Sequence, residues 1–236
     1  MIENIPFALV VYCTVLTLLA GLLFLLAFRK GHHRAQKKGH AFALLLLGYL
    51  TFQASLSLNR WFMDKSNGHH HLLFPILFPI ILLAVILFTP RGKRFILSLN
   101  SNFLFSIQLL RIPLAALIYI LATWKQAPWQ ITFFGMNFDI VFGIFTLMLL
   151  PTWRKKKHSK IFIFWNALGG ILIVYQMVLW WLSAQSKIQV IGLNQPNFSA
   201  THFPFEWNLS ILFPLFLAAH AILLVQATTK HEQPEL

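Results

Sequence analysis

Three ionisable side chains stand in apolar surroundings. Arg111 lies in Gln108-Leu-Leu-Arg111-Ile-Pro113, Asp139 in Gly135-Met-Asn137-Phe-Asp139, and His220 in Leu217-Ala-Ala-His220-Ala-Ile-Leu223. Within hydrocarbon such a group costs several kcal/mol unless it is paired or hydrated, so each requires a partner or a purpose. A guanidinium offers two chemistries: a buried ion pair that pins helices together, or bidentate recognition of an anion or carboxylate. Asp139, the one acid inside an apolar run, is the expected counter-ion of Arg111. His220, beside Ala218, Ala219 and Ala221, reads as a neutral histidine bonded across helices, with proton relay or metal ligation as the competing roles.

Amides complete the set. Gln108, three residues before Arg111, shares its helix face. Asn137 precedes Asp139 by two, and Gln53, Asn59 and Gln176 fall towards one end of their own apolar runs. Gln53, Asn59, Gln108, Arg111, Asn137, Asp139, Gln176 and His220 are therefore the expected lining of a polar pocket open to the outside. Pro113 removes a backbone donor and frees a carbonyl near Arg111. Gly135 and Gly143 are expected to let a neighbouring helix approach closely. Depth opposes the ion pair: Arg111 stands about 12 residues from either end of its run, but Asp139 only about five residues, roughly 8 Å, below the edge of its own.

Other chemistries lack their residues. There is no His-Glu-x-x-His, Gly-x-Ser-x-Gly, phosphate loop or EF-hand pattern. The last apolar run has no central lysine to carry a retinal Schiff base, and the single cysteine, Cys13, excludes an internal disulfide and cysteine-based zinc or iron–sulfur sites. His69-His70-His71 is the only histidine run, but adjacent residues on regular structure cannot all face one ion, so no metal site is expected. No cofactor is readable.

The elements that must hold these groups follow from composition. Among 236 residues, 58% are hydrophobic and 11% charged, with a mean hydropathy of +0.69. That is too little charge to coat a soluble globule of this size. A formal charge of +13 would suggest nucleic acid, but the basic residues sit in short clusters between apolar runs, which excludes that partner. A membrane-spanning helix needs about 20 apolar residues. Seven segments qualify: 6–28, 41–59, 72–90, 99–123, 134–153, 161–183 and 208–228. The expected fold is therefore all-α, one integral membrane bundle over 1–236. Long unbroken runs argue against a β-barrel, and the first segment lacks the flanks of a cleavable signal.

Charge alternates along the connections. Arg29, Lys30, Arg34, Lys37 and Lys38 follow the first span; Arg91, Lys93 and Arg94 the third; Arg154 to Lys157 and Lys160 the fifth; Lys230 the seventh. The intervening loops carry only Arg60, Lys65, Lys125 and Lys187. The positive-inside rule places the N-terminus outside and the C-terminus inside, with the basic loops against anionic lipid headgroups. Two short likenesses, Ile76 to Pro79 against Ile211 to Pro214 and the basic, histidine-containing loops after spans one and five, hint at a repeat of two three-helix halves.

The blocks Arg111-Ile-Pro113, Thr132-Phe-Phe-Gly135-Met-Asn137-Phe-Asp139, Trp165-Asn166 and Pro204…Pro214…His220 resemble a family of bacterial multi-pass membrane proteins. The resemblance covers mainly residues 108–225. It implies an inner-membrane protein whose polar positions form one unit, and it implies no reaction. Three readings follow: a small-molecule binding or carrier protein with its pocket at Arg111, Asp139 and His220; an intramembrane enzyme using His220 and Asp139 on a lipid-like substrate; or a structural subunit whose polar groups only hold helices.

Overall fold

The computed structural model describes residues 5–63 and 70–229. Its regular elements are all helical, and the one β-type pairing among the described residues is an isolated bridge between Ala184 and Asn197. The His69-His70-His71 expectation, Lys65 and Lys230 lie outside the side chains described.

Five helices are long and apolar enough to cross a membrane: α1 (Phe7–Arg29), α2 (Gly39–Leu58), α5 (Ser101–Thr123), α7 (Lys160–Ser183) and α8 (Asn208–Thr228). Between them α3 (His70–Phe88) bends by 97° into the short α4 (Pro90–Ile96), and this pair counts as a sixth if it is taken as one span. The bend has a local cause. Thr89 caps α4 by accepting the Gly92 N–H, and Pro90 at its first position cannot continue the ladder of α3.

The expected span at 134–153 differs. Only α6 (Asp139–Leu149) is helical there, 11 residues or about 16 Å, roughly half the hydrocarbon thickness. Residues 132–138 form turns instead, closed by Gly135 N–H to Thr132 O, Met136 N–H to Gln130 O and Asn137 N–H to Thr132 O. A Cβ on Gly135 would stand 2.4 Å from the Gln130 carbonyl oxygen. Gly135 thus serves this tight turn and not helix approach. Gly143 meets its expectation, since a Cβ there would come within 2.4 Å of Ile112 on α5.

Apolar runs that face both core and lipid show no amphipathic stripe, and only packing sorts their faces. On α1, Cys13, Ala20 and Ala27 recur every seven residues and are fully buried, while Val11, Val15, Leu18 and Leu22 are exposed. The core gathers on α5 and α8, the most enclosed helices, while α2 and α3 stand at the periphery with Leu44, Leu47, Leu77 and Ile81 outward. Small buried residues let α1 pack closely on α5, and exposed aliphatics suit a lipid surface.

One end of the bundle carries the basic segments. The other is closed by the connections 124–138 and 184–207, which bond to each other. Gln195 Nε2 donates to Ala127 O and Ser199 N–H to Gln126 O, while Gln195 also reaches Ala122 O at the end of α5 and Asn197 Nδ2 donates to Ser183 Oγ at the end of α7.

Candidate functional site

The turn at 132–138 settles the depth of Asp139. Asn137 Oδ1 accepts the Asp139 N–H at 2.7 Å, an Asx-type turn that starts α6 inside the bundle and not at its edge. Asp139 is fully buried at the first position of that helix, where backbone N–H groups favour a negative charge. It therefore lies level with Arg111. A 3-10 turn, Gln108–Leu110, runs straight into Arg111, and Pro113 cannot donate to the Leu109 carbonyl.

Arg111 Nε donates to Asp139 Oδ1 at 2.7 Å, and the NH2 nitrogen contacts the same oxygen at 2.5 Å. The expected pair is present, with both side chains fully buried. Arg111 NH1 lies 3.5 Å from His220 Nε2. A guanidinium only donates, so Nε2 must accept and the ring proton sits on Nδ1, which faces Asn166 Oδ1 at 3.3 Å. Asn166 Nδ2 in turn donates to Phe162 O at 2.9 Å. His220 is consequently neutral, since a protonated ring would direct an N–H at a cation. The chain Asp139–Arg111–His220–Asn166 links α6, α5, α8 and α7 with zero net charge.

Aromatic rings enclose this chain. The Arg111 guanidinium carbon stands 4.1 Å from the centroid of Phe142, and Phe142 and Trp165 meet His220 edge-on at 5.3 and 4.9 Å. Gly169 makes room for them: a Cβ there would lie 2.3 Å from the His220 ring and 2.5 Å from Phe142.

Of the eight expected pocket residues, the fold brings five together. Beside Arg111, Asp139 and His220 stand Asn137, on the Asp139 amide, and Gln108, which donates to Phe216 O at 3.0 Å. Gln176 is buried elsewhere on α7 and reaches Ile131 O at 3.5 Å, holding the turn segment. Asn59 is exposed and bonds back to Ser55 O, while Gln53 is buried on the distant α2. Arg111, Asp139, Asn166 and His220 are at most 1% exposed and line neither cavity described below. Among the described residues, no three of His, Cys, Asp and Glu converge.

A cleft of about 490 Å³ lies on the opposite face of α8, between α1, α2, α3 and α4. Ile211, Pro214, Ala218 and Ile222 form its α8 wall; Phe42, Leu46 and Phe78 line the other side, with Leu45 and Leu82 at an exposed margin. Lys38 and Arg91 stand at its basic end, and Tyr49 and Ser210 line it too. The Lys38 ammonium lies 5.3 Å from the Phe95 ring centroid. A second, polar cavity of about 280 Å³ among the basic loops includes Lys30, His32 and Lys157.

Sequence reasoning passed over one buried acid. Glu206 precedes α8 in a connection that reads as solvent-exposed, yet it is only 3% exposed, and burial pushes its carboxyl up to about 8. Its signal was spacing: Glu206, Asn208 and Ser210 alternate at the mouth of an apolar run. No known protein family, curated protein or solved structure matches the chain.

Proposed function

We propose that this chain is a multi-pass protein of a bacterial inner membrane that binds an amphipathic small molecule with an anionic head group. The membership suggested by the blocks in residues 108–225 supports the bacterial setting. The alternation of basic loops supports seven segments with the N-terminus outside and the C-terminus inside, α3 and α4 forming one segment and the short α6 another. The observation that carries the ligand is the cleft: apolar walls along α2, α3 and α8 suit an alkyl chain, and Lys38 and Arg91 at its basic end suit a phosphate or carboxylate. In the proposed orientation those cations lie at the level of cytoplasmic headgroups. The cavity at Lys30, His32 and Lys157 gives the same face a second place for anionic lipid.

Arg111, Asp139 and His220 then serve as the pin that fixes four helices. Their enclosure supports this role over direct ligand contact, and the enzyme reading loses support because the cleft lies across α8 from His220.

The test is thermal unfolding of purified protein in a neutral detergent with added long-chain phosphatidylglycerol, phosphatidylethanolamine, a fatty acid or inorganic phosphate. Anionic long-chain additives should raise the midpoint, with the lipid and fatty-acid arms separating the two head groups, and inorganic phosphate alone should not. Lys38→Gln with Arg91→Gln, or Ala218→Trp to fill the cleft, should remove the response. Equal stabilisation by the zwitterionic lipid, or a response unchanged in these variants, would refute the reading.

A further inference from the structure

Two rows of polar side chains face each other above the cleft, at the end away from the basic loops. On α2, Tyr49, Gln53 and Ser57 repeat every four residues and so share one face. On the opposing segment Ser210 lies one turn beyond Glu206. The rows are antiparallel and in register: Tyr49 and Ser210 line the same cleft, and Ser57 faces the Glu206 carboxyl. Gln53 falls between these two levels.

The rows are closed off from solvent. Gln53 is fully buried, and Ser57, Glu206, Asn208 and Ser210 are at most 5% exposed. Ser57 approaches the Glu206 carboxyl and Gln53 the Tyr49 hydroxyl, but Gln53 Nε2 and Oε1, Ser57 Oγ, both Glu206 carboxyl oxygens, Asn208 Nδ2 and Ser210 Oγ are left without a hydrogen bond of good geometry. Buried polar atoms rarely go unmatched, and so many in one place call for a shared partner. Cys13 on α1 closes the third side, with Sγ 3.5 Å from Pro204 O and 3.9 Å from Asn208 Oδ1.

The backbone adds to the same place. Residues Asn208–Leu212 form a π-helical turn, a widened turn that recurs at functional sites. Pro214 cannot donate to the Ser210 carbonyl four residues back, which frees another oxygen from its α-helical donor.

We propose that the space between α1, α2 and the π-turn of α8 binds a monovalent cation, sodium in particular, through the Glu206 carboxylate and the oxygens of Gln53, Ser57, Asn208 and Ser210. One carboxylate balances one positive charge, whereas calcium sites draw on several carboxylates. The donors are hard oxygens with no histidine among them, which excludes soft metals. A buried carboxylate must be neutralised by a proton or a cation, and among the described residues no Lys or Arg reaches Glu206. The other titratable groups facing it among the described side chains are Cys13 from α1 and Tyr49 from α2. Of the proposed ligands only Ser210 also lines the cleft; Glu206, Gln53, Ser57 and Asn208 do not.

Thermal unfolding in detergent, with sodium chloride exchanged for choline chloride at constant ionic strength, reads the site directly. Sodium should raise the midpoint saturably and choline should not. Glu206→Gln should abolish the sodium response. Ser57→Ala or Gln53→Ala should weaken half-saturation, and Lys38→Gln with Arg91→Gln should leave it intact. Equal midpoints in sodium and choline would overturn the proposal, as would an unchanged response in Glu206→Gln. If Glu206→Gln does not fold, equilibrium dialysis with radioactive sodium decides: binding to Ser57→Ala and Gln53→Ala equal to that of the unsubstituted protein overturns it.

Discussion

At the scale of single residues, the arrangement around Arg111 shows how a charge survives in an apolar interior. Asp139 cancels it, Phe142 covers the guanidinium face, and His220 accepts one remaining N–H. The energetic value of such a pair appears when it is broken, because the survivor is a buried uncompensated charge. Arg111→Leu and Asp139→Leu should each cost about 3–5 kcal/mol, and the double substitution should recover part of that loss. Thermal midpoints of the three variants in detergent check this, and strictly additive losses would show that the two side chains do not depend on each other. The candidates for pairing were legible in the sequence because charges within apolar runs are rare. Asn166 as the second partner of His220 was not, since nothing local in Trp165-Asn166 says which face of α8 it meets. Nor was Glu206, because its spacing with Asn208 and Ser210 is a faint sign within a connection rich in polar residues.

At the scale of elements, the decisive feature is a helix that starts late. Hydropathy alone extends the fifth segment over 134–153, because a turn carrying Phe133, Phe134 and Met136, with Phe134 itself exposed, is as apolar as a lipid-facing helix. The turn chemistry of Gly135 and Asn137 instead carries the chain inward before α6 begins, and this resolves the apparent depth mismatch of Arg111 and Asp139. Asn137→Ala removes the acceptor of the Asp139 amide and should cost about 1 kcal/mol, typical of a lost helix-start cap. It should also speed hydrogen exchange at the amides of residues 139–142 more than at those of α7. Protection unchanged at those positions would mean that Asn137 does not set the start of α6. Elsewhere prolines act through the donors they lack. Pro79 cannot bond to the Pro75 carbonyl, and the Tyr49 hydroxyl takes that acceptor at 2.9 Å, tying α2 to α3.

At the scale of the whole molecule, the basic loops at one end and the bonded connections at the other predict an accessibility pattern in intact cells. A cysteine at exposed Asn194 should react with an impermeant thiol reagent, and one at exposed Lys37 should react only after permeabilisation. The native Cys13 is fully buried and should stay silent in both conditions, so no cysteine-free background is needed. Labelling of the Lys37 position in sealed cells would reverse the proposed orientation. The sequence by itself determined the helical, lipid-compatible class and most of its segments, because hydropathy and loop charge are summed over neighbours in the chain. It also picked out Arg111, Asp139 and His220, because the cost of burying polarity attaches to residue type. Only the tertiary structure decided which polar groups share an interior. Gln53 stands on α2 apart from the Arg111 group, Asn166 joined His220, and the cleft opened on the other face of α8. Those outcomes depend on helix rotation and on the depth at which turns end, and the packing of segments distant in sequence sets both. An apolar run that meets lipid on one side and protein on the other carries no stripe to report its rotation in advance.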